Sequence, residues 1–311
     1  MNTLREAVTD YLAMRRALGF KLEKPGVGLL DFVSFLEKHE ATYITVAYAL
    51  EWAQQQSSVQ PSLWAQKLGW VRGFARYRSA FDARTEIPAT ALLPHQPKRA
   101  RPYIYTDEEI QKLLAAALQL KPASAVLKRQ TYFCLLGLLA VSGMRPGEAI
   151  GLKMKNVDLV AGILTVEGAK FGKSRLVPLH ASTQKVLSDY KLCRDKVLNG
   201  RSAEYFFVND AGKRLHFTEV HQNFYLLSRQ IGIRKPDSSH GPHLMDLRHR
   251  FAIEVMLRWY GSGEDAERRL PLLSTYLGHV NVSSTYWYLT AFPQLMGAAV
   301  GRLEKRWEEQ P

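Results

Sequence analysis

Between Thr85 and Tyr105 the chain carries Pro88, Pro94, Pro97 and Pro102, with Lys98, Arg99 and Arg101 set among them. Proline lacks an amide hydrogen and crowds the preceding turn, so no helix continues through four of them. The segment therefore divides the 311 residues into two folding units, and that length is enough for two cores. We read residues 1–96 as one domain, 97–311 as the second, and about 85–105 as the strap between them. Its cationic side chains suit a strap lying along a phosphate backbone.

The first domain reads as a small helical bundle. Thr3 and Glu6 are spaced as a capping box, and Leu4, Ala7, Val8, Tyr11 and Leu12 follow at helical intervals until Gly19. Leu29 to Leu36 supplies a second apolar face, Thr45 caps a third helix to about Gln56, and Pro61 opens a fourth to about Ala80. That fourth helix carries Lys67, Arg72, Arg76 and Arg78. Arg72 and Arg76, four apart, share a face. Such a face is either ordinarily solvated or a row of phosphate contacts, and Lys67, Arg72 and Arg76 are the expected contacts.

The second domain adds a few strands to more helices. Thr106 and Glu109 form another capping box. Gln130–Val141 is a strongly apolar helix ending at Ser142-Gly143, with Arg145 in the turn that follows and Glu148 placed to orient it. Residues 162–167, 174–179 and 204–208 read as strands, the first two joined by a glycine-containing hairpin with Lys170 near its tip and Lys173 close by. Further helices are expected at 218–231 and from His243 to about Trp259, with an exposed GSGED loop after the latter. The predicted fold class is mainly α with a small antiparallel β-sheet.

Composition narrows the partners. Lys and Arg outnumber Asp and Glu by 42 to 29, a formal charge of +13 that favours a polyanion. Charge alone does not separate DNA from RNA or from an anionic membrane. Two cysteines, Cys134 and Cys193, are too few for a disulfide framework. The apolar run at Tyr132–Met144 is too short to span a bilayer, and the first residues have the pattern of an amphipathic helix, not of a signal peptide. A cytoplasmic, nucleoid-associated protein with no membrane contact is expected.

Four segments in order carry a more specific signal: SGMRPGEAIGL at 142–152, GAKFGKSRLVPL at 168–179, HLMDLRHRFA at 243–252 and LSTYLGHVNVSSTYWYLT at 273–290. Together they resemble the tyrosine recombinase (phage integrase) family. The resemblance implies a helical domain that clamps one side of double-stranded DNA and a mixed α/β catalytic domain on the other. It implies Arg145 and Arg248 on the scissile phosphate, His279 as a further donor, Lys170 as the acid for the leaving 5′-oxygen and Tyr288 as nucleophile. Lys173 is the rival for Lys170, and Tyr286 is the rival for Tyr288. The tail from Phe292, with Leu295, Ala299 and Leu303 at helical spacing, corresponds to a helix that docks on a neighbouring subunit in the family.

One position departs from the pattern. Where the family usually has histidine, three residues before Arg248, this chain has Met245. Methionine neither accepts nor donates a proton, so that function is lost or displaced. His243 and His249 lie nearby, but neither occupies that position, and His249 is expected to pack or support. The implied activity is metal- and ATP-independent, cofactor-free site-specific recombination through a 3′-phosphotyrosine, for a mobile element. The partners would be a homo-oligomer, tetrameric in the synapse, or related recombinase subunits. A catalytically weak DNA-binding subunit and a type IB-like topoisomerase are the alternatives.

Overall fold

The computed structural model describes residues 3–55, 61–93, 101–122, 125–168, 174–238, 240–279 and 281–308. They fall into two compact units, Met1–Ala100 and Arg101–Pro311.

The first unit holds α1 (Leu4–Ala17), α2 (Glu23–Lys38), α3 (Val46–Gln54) and α4 (Pro61–Arg78). Thr3 and Glu6 close both bonds of the capping box, and Thr45 caps α3 by accepting from the Tyr48 amide. The buried stripe of α1 is Leu4, Ala7, Val8, Tyr11 and Leu12, packed in one core with Phe32, Trp52 and Phe74. Gly28 matters here, because a Cβ at that position would lie 2.5 Å from the Trp70 ring. Only glycine lets α2 and α4 approach this closely.

The second unit contains α5 (Asp107–Ala117), α6 (Val126–Ser142), α7 (Pro146–Ile150), α8 (Ala181–Leu198), α9 (Phe217–Gln230), α10 (Leu244–Gly261), α11 (Ala266–Leu277), α12 (Ser283–Ala291) and α13 (Pro293–Glu308). Its central element is α6, packed against α5, α8 and α10. With Leu135, Leu136, Leu138 and Leu139 all buried, α6 is apolar on every side, as a surrounded helix must be. Arg250 of α10 donates to the Tyr105 carbonyl at 2.8 Å and to Asp107 at 2.6 Å. The Tyr105 hydroxyl in turn donates to the carbonyl of His243, so α10 is fastened where α5 begins. The tail helix α13 lies against α10 and α12 of its own chain and buries Leu295.

The small antiparallel sheet has the order β1 (Val157–Asp158), β2 (Ile163–Val166), β3 (Arg175–Pro178). Val166 pairs with Arg175 and Ile163 with Pro178. The expected strand at 204–208 is instead a bent stretch with isolated bridges, Lys153 to Tyr205 and Val208 to Arg214. Side chains take its carbonyls in place of a ladder. Arg194 donates to Ala203 and Tyr205, Tyr190 to Phe206, and Thr131 to Val208. The apolar run is real, with Phe206 and Phe207 fully buried, and both rings pack on Tyr190 of α8. The sheet's third member is two residues long, too short to show a period.

Candidate active site

Gly143 ends α6 in the left-handed region (φ +59°), and a Cβ there would meet the Phe251 ring at 2.4 Å. The turn makes Arg145 the residue that caps α7. Its Nη1 donates to Glu148 Oε1 at 2.8 Å, and its Nη2 donates to the Gly278 carbonyl at 2.9 Å. Arg248, one turn into α10, is only 2% exposed. It donates to the carbonyl of Gly143 at 2.8 Å and to that of Leu277 at 2.5 Å. Two guanidinium groups from distant motifs thus grip adjacent carbonyls, Leu277 and Gly278, where α11 ends.

A third arginine, not singled out from the sequence, joins them. Arg175 of β3 makes a two-pronged bond to Glu148, at 3.0 and 2.6 Å. Its signal is the alternation of β3, since Arg175 lies on the same face of the strand as buried Val177. A charge on the inward face needs an anion beside it. Burial alone would raise the Glu148 carboxyl, but hydrogen bonds from Arg175 and from Arg145 outweigh this and hold it at about 2. Burial, then the neighbouring charge of Arg145, lower Arg248 to about 10, while Tyr288 and Glu148 push the other way. Arg248 therefore stays cationic at neutral pH.

The depressed Glu148 value fixes the sign of a stability effect. Its contribution is complete above the ordinary carboxylate value of 4.5 and disappears as pH falls through about 2. Replacing Glu148 with glutamine should cost about 3 kcal/mol at pH 7, because two arginines lose a buried partner. The variant's melting temperature should then fall less steeply than the wild type's on acidification through that window. Parallel curves for the two proteins would show that the carboxylate charge contributes nothing.

His279 follows Gly278, the left-handed residue closing α11. Its backbone amide donates to Ser274, and its Nδ1 lies 2.8 Å from the hydroxyl of buried Thr285. Tyr288 of α12 is fully buried beside Leu277, Phe292 and Leu295. Its hydroxyl lies 2.7 Å from Nδ1 of His249, so His249 is not mere packing: it meets the candidate nucleophile. Tyr286, the rival, is 47% exposed, and Met245 is 38% exposed.

The remaining candidates are more scattered. Lys170, Lys173, Lys98 and Arg99 lie outside the described residues. Lys67 places its ammonium 4.9 Å from the centre of the Trp52 ring. Arg72, read as a phosphate contact, donates to the carbonyls of Pro88 and Ala89 at 2.8 and 2.7 Å. It thereby holds the start of the proline-rich segment against α4. Arg76 and Arg101 are exposed. Among the described residues no group of three or more His, Cys, Asp or Glu is arranged to hold a metal ion.

The phage integrase family pattern matches residues 104–294, an interval that contains Arg145, Glu148, Arg175, Arg248, His279 and Tyr288. The chain belongs to the phage integrase family. It is 53% identical over 313 residues to y4rB of Sinorhizobium fredii, assigned as an integrase/recombinase, with 100% of both chains covered. Its fold is similar to that of the XerH site-specific recombinase in a post-cleavage complex with palindromic difH substrate. That match has a TM-score of 0.63 and 19% identity, and covers 90% of this chain and 78% of the other. It also resembles a lambda integrase solved as a tetramer on a Holliday junction, with a TM-score of 0.60, 18% identity and coverage of 90% and 78%. Membership in the phage integrase family agrees with the resemblance of the four ordered motifs and with the mainly helical fold carrying a three-stranded sheet.

Proposed function

We propose that this phage integrase family member cuts and rejoins double-stranded DNA at specific sites through a 3′-phosphotyrosine on Tyr288. It works as a multimer, in the cytoplasm, in the integration or excision of a mobile element. One observation carries the reading: Arg145, Arg248, His279 and Tyr288, drawn from three separate motifs, meet around the end of α11. The full-length similarity to y4rB supports the recombinase assignment. No described helix is long and apolar enough to cross a membrane.

The chemistry follows from charge. A phosphodiester repels an anionic nucleophile, and its transition state gathers further charge on the non-bridging oxygens. Arg145 and Arg248 offer paired N–H donors to those oxygens, and His279 offers a third site of donation. Tyr288 Oη bonds to phosphorus as the 5′-oxygen departs, and Lys170 gives that oxygen its proton, with Lys173 as the rival. The phosphotyrosine keeps the bond energy, so a DNA hydroxyl can reverse the step without ATP.

To test this, the protein is incubated with sheared, nicked genomic DNA of its host, and covalently attached DNA is recovered after denaturation. A recurrent cut sequence is expected, with the nucleotide attached to Tyr288. Cuts at the ends of a repeated element would support the mobile-element assignment. Adducts scattered without sequence preference would point to a topoisomerase instead. Cleavage should also survive excess EDTA, because side chains supply the charge stabilisation. Activity that vanishes with EDTA and returns with magnesium would overturn this mechanism.

A further inference from the structure

We propose that His249 is the general base that takes the proton from Tyr288 during attack, in place of a histidine at position 245. The proposal rests on the 3′-phosphotyrosine reading above.

The geometry is direct. His249 Nδ1 and Tyr288 Oη are 2.7 Å apart, a normal distance for a phenol donating to a neutral imidazole. The rings are 5.5 Å apart between centres, and Trp287 abuts both of them edge-on. Packing on two sides therefore fixes the direction of the histidine. Positions 245 and 249 are one turn apart on α10 and share a face. Met245, partly exposed, has no acid–base chemistry, whereas His249 on the same stripe reaches the hydroxyl.

The need for a base is quantitative. An ordinary tyrosine, of pKa about 10, is ionised to roughly one part in a thousand at pH 7, while an ordinary histidine is mostly neutral there and ready to accept. As the Tyr288 Oη–P bond forms and the P–O5′ bond breaks, the phenolic proton passes to His249 Nδ1. The leaving 5′-oxygen takes its proton from the acid of the proposed reaction, Lys170 or its rival Lys173. In rejoining, the imidazolium returns the proton to Tyr288 as the phosphotyrosine bond breaks. Tyr288 faces His249 from α12, and Arg248 adjoins it on α10. Arg145 at the cap of α7, Glu148 on α7 and Arg175 on β3 act in turn on the charge of Arg248. The imidazolium forms only as the phosphate between the arginines gains negative charge, so cationic neighbours do not forbid it.

The test is single-turnover cleavage of a nicked duplex carrying the recovered cut sequence, by full-length wild type and His249→Asn. Asparagine keeps a hydrogen-bonding group near Nδ1 but cannot take the proton. DNA affinity and thermal melting check that the variant is folded, and His249→Ala replaces it if it is not. The expected result is unchanged affinity and cleavage slower by about 10²–10⁴-fold at neutral pH. The deficit should shrink as pH rises from about 7 to about 9, because hydroxide and pre-ionised tyrosine replace the missing base. A deficit constant across pH marks a structural role and overturns the proposal. So does a variant as fast as wild type, or a faster one, which would make the His249 bond a restraint on the nucleophile. A wild type that forms no adduct overturns the recombinase reading and this proposal together. A wild type that cleaves beside an unaffected variant overturns the proposal alone.

Discussion

Tyr288→Phe should bind DNA as wild type does and form no covalent adduct at all. The ring is buried among Leu277, Phe292 and Leu295, and phenylalanine fills the same space. Phenylalanine gives up the hydroxyl's bond to His249, at a cost of about 1 kcal/mol. Folding and affinity therefore survive, while the atom that bonds to phosphorus in the proposed reaction is gone. Tyr286→Phe makes the contrast. Tyr286 is half exposed, whereas Tyr288 is fully buried with its hydroxyl against His249. The Tyr286 variant should keep forming adduct. Mass-spectrometric mapping of the attached nucleotide to Tyr286 would reverse the assignment.

Arg248→Lys should also show a large effect, and in rate rather than affinity. Many of the 42 lysines and arginines can share the ground-state attraction to DNA. A clamp arginine instead meets charge that grows on the way to the transition state. Lysine keeps a positive charge but loses the planar fork. At saturating DNA the cleavage rate should drop by about 10²–10³-fold, the usual penalty for one preorganised donor. Because Arg248 also satisfies the carbonyls of Gly143 and Leu277, Arg248→Ala should in addition lose about 3 kcal/mol of stability. A lysine variant that binds DNA poorly yet cleaves at the normal rate once saturated would remove Arg248 from the chemistry.

How much of the molecule is legible in the sequence depends on how local each feature is. The capping boxes at Thr3 and Thr106 lie within four residues, and both are present. The β2–β3 pair announces itself by alternation around a glycine bend. Residues 204–208 look equally strand-like, because burial produces an apolar run whether a neighbouring strand or the side chains of Tyr190 and Arg194 take the carbonyls. Helix α8 escapes a reading by periodicity: its Leu192 is exposed and its Arg194 buried, so no clean stripe marks it. At the site, Arg145, Arg248, His279 and Tyr288 are candidates by motif order alone. The contact of His249 with Tyr288 joins residues 39 positions apart and depends on how the α12 segment returns to α10, which no local pattern encodes.

The carbonyls of Leu277 and Gly278 have one more consequence. Both arginines already donate to protein oxygens, so seating a phosphate there is an exchange of acceptors rather than a gain of new bonds. Trading a neutral carbonyl for a singly charged phosphate yields a modest advantage, and the advantage widens as the phosphate gathers charge. The end of α11 thus sets a threshold. In the proposed reaction stray anions would compete poorly with a tethered acceptor, and the donors would change hands in full only as a strand is broken.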